Sequence, residues 1–148
     1  MSNLLFELQL DAPQTELMKT ASDFENFTQY LPAQLKKIEI TDQTDGKIIT
    51  KETLQFSSVL TKQIEIQCEH KIDSNTIHTK VIKGPAENSL VDVTFETNEN
   101  GTLVKIDIDL KLGLKYKILQ PLIKKWYKFL LQGVLYKINT TANQNLQQ

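Results

Sequence analysis

The chain has 148 residues, 40% of them hydrophobic, enough for one domain with a buried core over 1–148. A formal net charge of −1 gives no electrostatic case for binding nucleic acid. All 17 basic residues are lysine, so the bidentate phosphate and carboxylate recognition that arginine provides is missing.

The single cysteine, Cys68, excludes an internal disulfide. No basic segment followed by an apolar stretch opens the chain, and no apolar run approaches bilayer length. The expectation is a cytoplasmic protein.

The first strand is "LLFELQL", with Leu4, Phe6, Leu8 and Leu10 on one face. "DAPQTELMKTASDFENFTQYLP" follows. Asp11 is placed to cap a helix from Pro13, and Ser22 with Glu25 to form a capping box on a second short helix. Phe24, Phe27 and Tyr30 form one row on that second helix, and Pro32 disfavours helix at Leu31, so the pair ends there.

Six further strands are predicted, at 35–42, 47–56, 62–72, 76–83, 90–97 and 102–112, joined by turns such as "TDGK", "DSN" and "NENG". Alternation sets Ile48, Thr50, Glu52, Leu54 and Phe56 on one face of the third strand. It sets Ile64, Ile66, Cys68, His70 and Ile72 on one face of the fourth. Short turns between consecutive strands imply an antiparallel meander with one face buried.

After Gly113 the period becomes helical, predicting one long helix over 115–142 and a frayed polar tail at 143–148. Centred on Trp126, the apolar stripe takes in Leu119, Leu122, Ile123, Phe129, Leu130, Gly133 and Val134, with Lys117, Lys124 and Lys128 opposite. Pro121 falls in the first turn or at a kink. The expected fold class is α+β: a seven-stranded curved antiparallel sheet wrapped around a long C-terminal helix, with two short helices between strands one and two. Such a sheet encloses more volume than the helix fills, and the small Gly133 leaves room for a concave apolar cavity.

"FTQYLP", "KGPAENSLVDVTFE", "GTLVKIDIDLKLG" and "PLIKKWYKFLLQGVLYKI" give the chain a resemblance to the START/SRPBCC helix-grip superfamily. That superfamily includes polyketide cyclases, coenzyme Q-binding proteins and birch-pollen-allergen-like proteins. The match covers nearly the whole chain. It implies binding of a hydrophobic small molecule (lipid, quinone or polyketide-like) between sheet and helix. Ile66, Cys68, His70, Val81, Phe95, Ile106, Ile108, Trp126 and Leu130 would line the cavity, with Tyr30 and Leu31 at its mouth. His70, Thr79 and Glu52 would orient the ligand's polar end.

Each candidate also has a plainer reading. His70 faces inward and His78 outward, so the two share no site and no metal-ligand spacing occurs. A lone inward histidine is a core polar group or a ligand contact; as a general base it would need Glu52 or a tyrosine as partner. Glu52 is exposed on an edge strand or buried as a cavity group. Asp92, Glu96, Asp107 and Asp109 read as a solvated charged face, and Cys68 as a small core residue. No cofactor or catalytic motif is found. The leading expectation is a non-catalytic carrier of an apolar molecule. The alternatives are a polyketide cyclase/aromatase-type enzyme using the same cavity, and a protein- or membrane-interaction module. Lys117, Lys124 and Lys128 would make a transient membrane contact.

Overall fold

A computed structural model describes residues 3–55 and 63–147. Strands β1 (Leu4–Leu10), β2 (Leu35–Thr44), β3 (Lys47–Gln55), β4 (Gln63–Asp73), β5 (Thr76–Lys83), β6 (Leu90–Asn98) and β7 (Gly101–Asp109) form one curved sheet. Its order is β1-β7-β6-β5-β4-β3-β2, every neighbour antiparallel. Helix α1 (Gln14–Ala21) and a 3-10 helix (Phe24–Gln29) separate β1 from β2. Helices α2 (Leu114–Lys117) and α3 (Gln120–Leu146) follow the last strand. Phe56 and the first residue of the predicted fourth strand lie outside the described residues.

Alternation in the strands places one apolar set against the helices. Leu8 and Leu10 of β1 face across to Val104 and Thr102 of β7, with Ile106, Ile108, Val91, Phe95, Ile77 and Val81 beside them. Leu17 and Ala21 of α1 and Val134, Leu135, Ile138 and Ala142 of α3 close this core. Gly101 turns the chain from β6 into β7 at φ +126, and a Cβ there would stand 2.4 Å from the Leu10 carbonyl oxygen, so only glycine fits.

Strand β7 stops at Asp109 rather than at 112. Side chains take over its hydrogen bonding: the Asn3 amide exchanges bonds with the Leu110 backbone at 2.8 and 2.9 Å, and the Ser89 hydroxyl does the same with Lys111 at 3.1 and 2.8 Å.

The expected caps do not form. Pro13 occupies the N-cap of α1, and the Asp11 carboxylate instead accepts from Asn139 and Asn143 at 2.9 and 2.8 Å. Those bonds hold its pKa below the usual carboxylate range. Ser22 donates back to the Lys19 carbonyl, and Asp23 precedes the 3-10 helix without a capping bond.

The expected long helix is interrupted. Ile118 and Leu119 separate α2 from α3, and Pro121 sits in the first turn of α3, where its missing N–H costs nothing. The phase of the stripe also differs, by roughly 100°. Ile123, Tyr127, Leu131, Val134, Leu135, Ile138 and Ala142 face the sheet, whereas Leu122, Phe129 and Gly133 face solvent. A straight helix has one phase, and the buried run from Val134 to Ala142 sets it for the whole length. A Cβ added at Gly133 would meet nothing within 4 Å, so this glycine opens outward and leaves no space in the interior. Lys124 and Lys128 become half-buried flanks rather than the opposite face, and the Lys128 ammonium lies 5.4 Å from the centre of the Phe6 ring.

Candidate functional site

Three adjacent strands carry polar side chains on the inner face, where apolar ones would be expected. β3 supplies Thr50 and Glu52, β4 supplies Cys68 and His70, and β5 supplies Thr79. Strand β3 is flanked by β2 and β4, so Glu52 is not on an edge strand. Thr50, Cys68 and His70 are buried, and Glu52 nearly so.

These groups are joined in one run. The Thr50 hydroxyl lies 2.8 Å from Glu52 Oε2 and 2.9 Å from His70 Nε2, and His70 Nδ1 lies 2.8 Å from the Thr79 hydroxyl. A hydroxyl has one hydrogen to give. With Thr50 donating to Glu52, its oxygen accepts from Nε2–H, and Nδ1 accepts from Thr79. The bonds then all point toward the carboxylate. Glu52 Oε2 stands 4.0 Å from His70 Nε2, so Thr50 bridges the two.

Burial governs the electrostatics. Desolvation lowers the His70 pKa to about 4, keeping the imidazole neutral. Desolvation raises the Glu52 pKa, only partly opposed by hydrogen bonds from Thr50 and Cys68. The Cys68 thiol is pushed up by burial and by the neighbouring Glu52 charge. The Tyr127 phenol on α3 is pushed up by burial, with Cys68 and Glu52 near enough to add to it. Phe24 of the 3-10 helix stacks on the His70 ring, centroids 4.1 Å apart.

The remaining candidates fall into two groups. Val81, Phe95, Ile106 and Ile108 are fully buried core. Ile66, Thr79, Trp126, Leu130 and Leu31 are half-buried: Ile66 and Thr79 on β4 and β5, Trp126 and Leu130 in the N-terminal half of α3, and Leu31 just before β2. All the buried residues of α3 lie at or beyond Val134, so its N-terminal half is seated less deeply. Tyr30 is buried, edge-on to Phe27, and its carbonyl accepts from the Lys137 ammonium at 3.0 Å.

Sequence reasoning passed over three contributors. Thr50 shares the inner face of Glu52, and alternation had placed it there. Tyr127 was hidden by the phase assigned to the helix. Phe24 was placed only in an aromatic row on the second short helix, not against His70.

His78 lies on the outer face, 2.7 Å from Asp92. Glu96 pairs there with Lys105 at 3.2 Å, in keeping with a solvated charged face. Among the described residues no group of three or more His, Cys, Asp or Glu is placed to hold a metal, and no helix is long and apolar enough to cross a membrane.

A seven-stranded antiparallel sheet gripping a long C-terminal helix, with two short helices after the first strand, is the helix-grip fold of the START superfamily, polyketide aromatase/cyclases and related plant proteins. Three solved structures make the likeness concrete. A protein from Thermus thermophilus matches with TM-score 0.81 and 16% identity, over 96% of this chain and 97% of that one. The Zhui aromatase/cyclase from a Streptomyces species matches with TM-score 0.77 and 10% identity, over 97% and 94%. A START superfamily protein from Mycobacterium smegmatis matches with TM-score 0.76 and 16% identity, over 95% and 97%. At these identities the likeness is one of fold. No protein-family model and no curated protein matches the sequence.

Proposed function

We propose that this chain, as one START-like domain over 1–148, holds a hydrophobic small molecule (lipid, quinone or polyketide-like) between its sheet and α3 without altering it. The observation that carries the reading is the buried run Thr79–His70–Thr50–Glu52 set in an apolar face. Buried polar groups cost stability relative to a well-packed apolar core, so a whole run of them points to a task beyond packing. Ile66 pairs with Glu52 across β3 and β4, and Tyr127 of α3 lies near Glu52 and Cys68, while Trp126 and Leu130 are half-buried on the same less deeply seated half of the helix. Apolar burial would supply the affinity, about 25 cal/mol per Å² before the costs of association. His70, Thr79 and Glu52 would receive the ligand's polar end, with Tyr30 and Leu31 at the entrance. An apolar cargo is exchanged with a bilayer, and the transient membrane contact of Lys117, Lys124 and Lys128 belongs to the same reading.

Organic extraction and native mass spectrometry of the purified protein test this. A stoichiometric apolar molecule is expected, displaced in a Glu52→Gln, His70→Gln double variant. Absence of any retained molecule, together with no thermal shift from a panel of lipids, quinones and poly-ketones, overturns it.

The polar run also favours a second reading, an aromatase/cyclase-type enzyme, the kind of protein that the Zhui aromatase/cyclase of like fold is. If Glu52 takes up a proton, every bond in the run can reverse: Glu52 donates to Thr50, Thr50 to Nε2, and Nδ1–H to Thr79. A proton then enters at one end and is offered at the other. Turnover of a poly-ketone chain that disappears in His70→Ala, with the fold intact, decides for the enzyme.

A further inference from the structure

Charge is unevenly divided along the chain. Seven of the 17 lysines and none of the 18 acidic residues lie beyond Asp109. The first 109 residues therefore carry a net −8, and the remainder +7. The overall −1 hides two opposed halves.

The basic half is α2, α3 and their junction, and its outer side is not polar. Leu114 is 89% exposed, Ile118 88%, Leu122 53% and Phe129 75%. Leu122 and Phe129 are seven residues apart and share one side of α3, turned away from the stripe that meets the sheet. Lysines lie along one side of this ridge, Lys125 next to it and Lys128 and Lys124 further round toward the sheet. Lys117, Lys124, Lys125 and Lys128, with Gln120 and Pro121, line a surface recess of about 640 Å³. Among the described residues, none of these four lysines, nor Lys115, joins an ion pair.

We infer that this face docks on an anionic lipid bilayer, with Leu114, Ile118, Leu122 and Phe129 entering the headgroup–acyl boundary and the lysine-lined recess taking lipid phosphates. Exposed large apolar side chains bordered by lysines along a helix lying flat are what interfacial binding requires. Charge complementarity selects the occupant: a second copy placed face to face would set lysine against lysine. The inference deepens the carrier reading by naming the surface that cargo would cross, and rests on that reading only for its purpose. Vesicle binding is measured separately from ligand retention, so either can fail without the other.

The test is co-sedimentation with vesicles of pure phosphatidylcholine and with vesicles holding about 30% phosphatidylserine. The expected result is binding to the anionic vesicles alone, weakened at about 0.5 M salt. Each lysine removed should weaken binding about fivefold, so Lys124→Glu, Lys125→Glu, Lys128→Glu together should abolish it. Ile118→Ser with Phe129→Ser should lower it more than tenfold at an unchanged melting temperature, since both side chains are exposed. Binding that is equal on both vesicle types, absent on both, or indifferent to either variant overturns the inference. So does a concentration-dependent dimer lost in Phe129→Ser, which would make the face an interface between copies. Retention of soluble polyglutamate without vesicle binding also overturns it, in favour of an acidic protein partner.

Discussion

The ring of Phe24 lies nearly parallel to the imidazole of His70, 18° between planes and 4.1 Å between centroids. The 3-10 helix thereby covers a group of β4 that two threonines hold in the plane of its ring. Water is kept from the imidazole on that face, and its neutral form is favoured.

Acid stability should carry the mark of His70. Its folded pKa of about 4 lies below the unfolded value of 6.5, so the unfolded chain takes the proton first. The resulting stability is complete above pH 6.5 and is lost as pH falls toward 4, about 3 kcal/mol in all. Urea unfolding of the parent and of His70→Gln across that range checks this. An identical pH profile for the two would refute it.

Glu52 should act with the opposite sign. Its folded pKa is raised, so the folded chain binds the proton more tightly and stability falls as pH climbs past the ordinary carboxylate value. Glu52→Gln should therefore gain on the parent between pH 5 and pH 8 in the same unfolding series. A variant that loses ground as pH rises would contradict the buried-carboxylate reading.

Thr50 bridges His70 and Glu52, so Thr50→Val leaves two buried partners unsatisfied at nearly constant volume. The expected loss is about 2–3 kcal/mol by chemical denaturation. Thr79→Val, at the half-buried end of the run, should cost about 1 kcal/mol. A neutral Thr50→Val would mean that the run contributes nothing to stability.

Cys68 should be unreactive in the folded state. Burial and the Glu52 charge both oppose its thiolate, and the thiolate is the nucleophile. A disulfide reagent at pH 8 should label it only in denaturant. Rapid labelling of the native protein would show that β4 opens readily.

Two glycines should respond in opposite directions. Gly101→Ala drives a Cβ into the Leu10 carbonyl at a left-handed φ and should cost more than about 2 kcal/mol. Gly133→Ala adds a methyl to open solvent within α3 and should stabilise by about 1 kcal/mol. Thermal melts of both variants provide the measurement.

Strand alternation carried most of what could be read in advance. The inner positions of Cys68 and His70, the outer position of His78 and the meander order all follow from a period of two, which leaves little freedom once one face is buried. Glu52 was undecided because alternation does not say which strand is an edge; that depends on β2 pairing with β3. The helix was harder. Leu122, Trp126 and Phe129 make one apolar stripe, and Ile123, Tyr127, Leu131, Val134 and Ile138 make another. A helix apolar on two sides has no phase until something packs against it. The second series is the one that continues as far as Ala142, and that continuation was the available signal. The caps failed for a related reason: Asp11 had partners 128 and 132 residues away that no local rule could supply.

Those distant partners bear on how α3 is mounted. Asn139 and Asn143 tie its far end to Asp11, Asn139 also accepts from the Ala12 backbone, and Lys137 holds the carbonyl of Tyr30. Every fully buried residue of the helix lies in that same half. In mechanical terms α3 is a cantilever, clamped near its C-terminus and lightly supported near Pro121. Its N-terminal half brings Tyr127 near Glu52 and Cys68 on the inner side and carries Leu122 and Phe129 on the outer side, so one short helical segment joins the polar run to the exposed ridge.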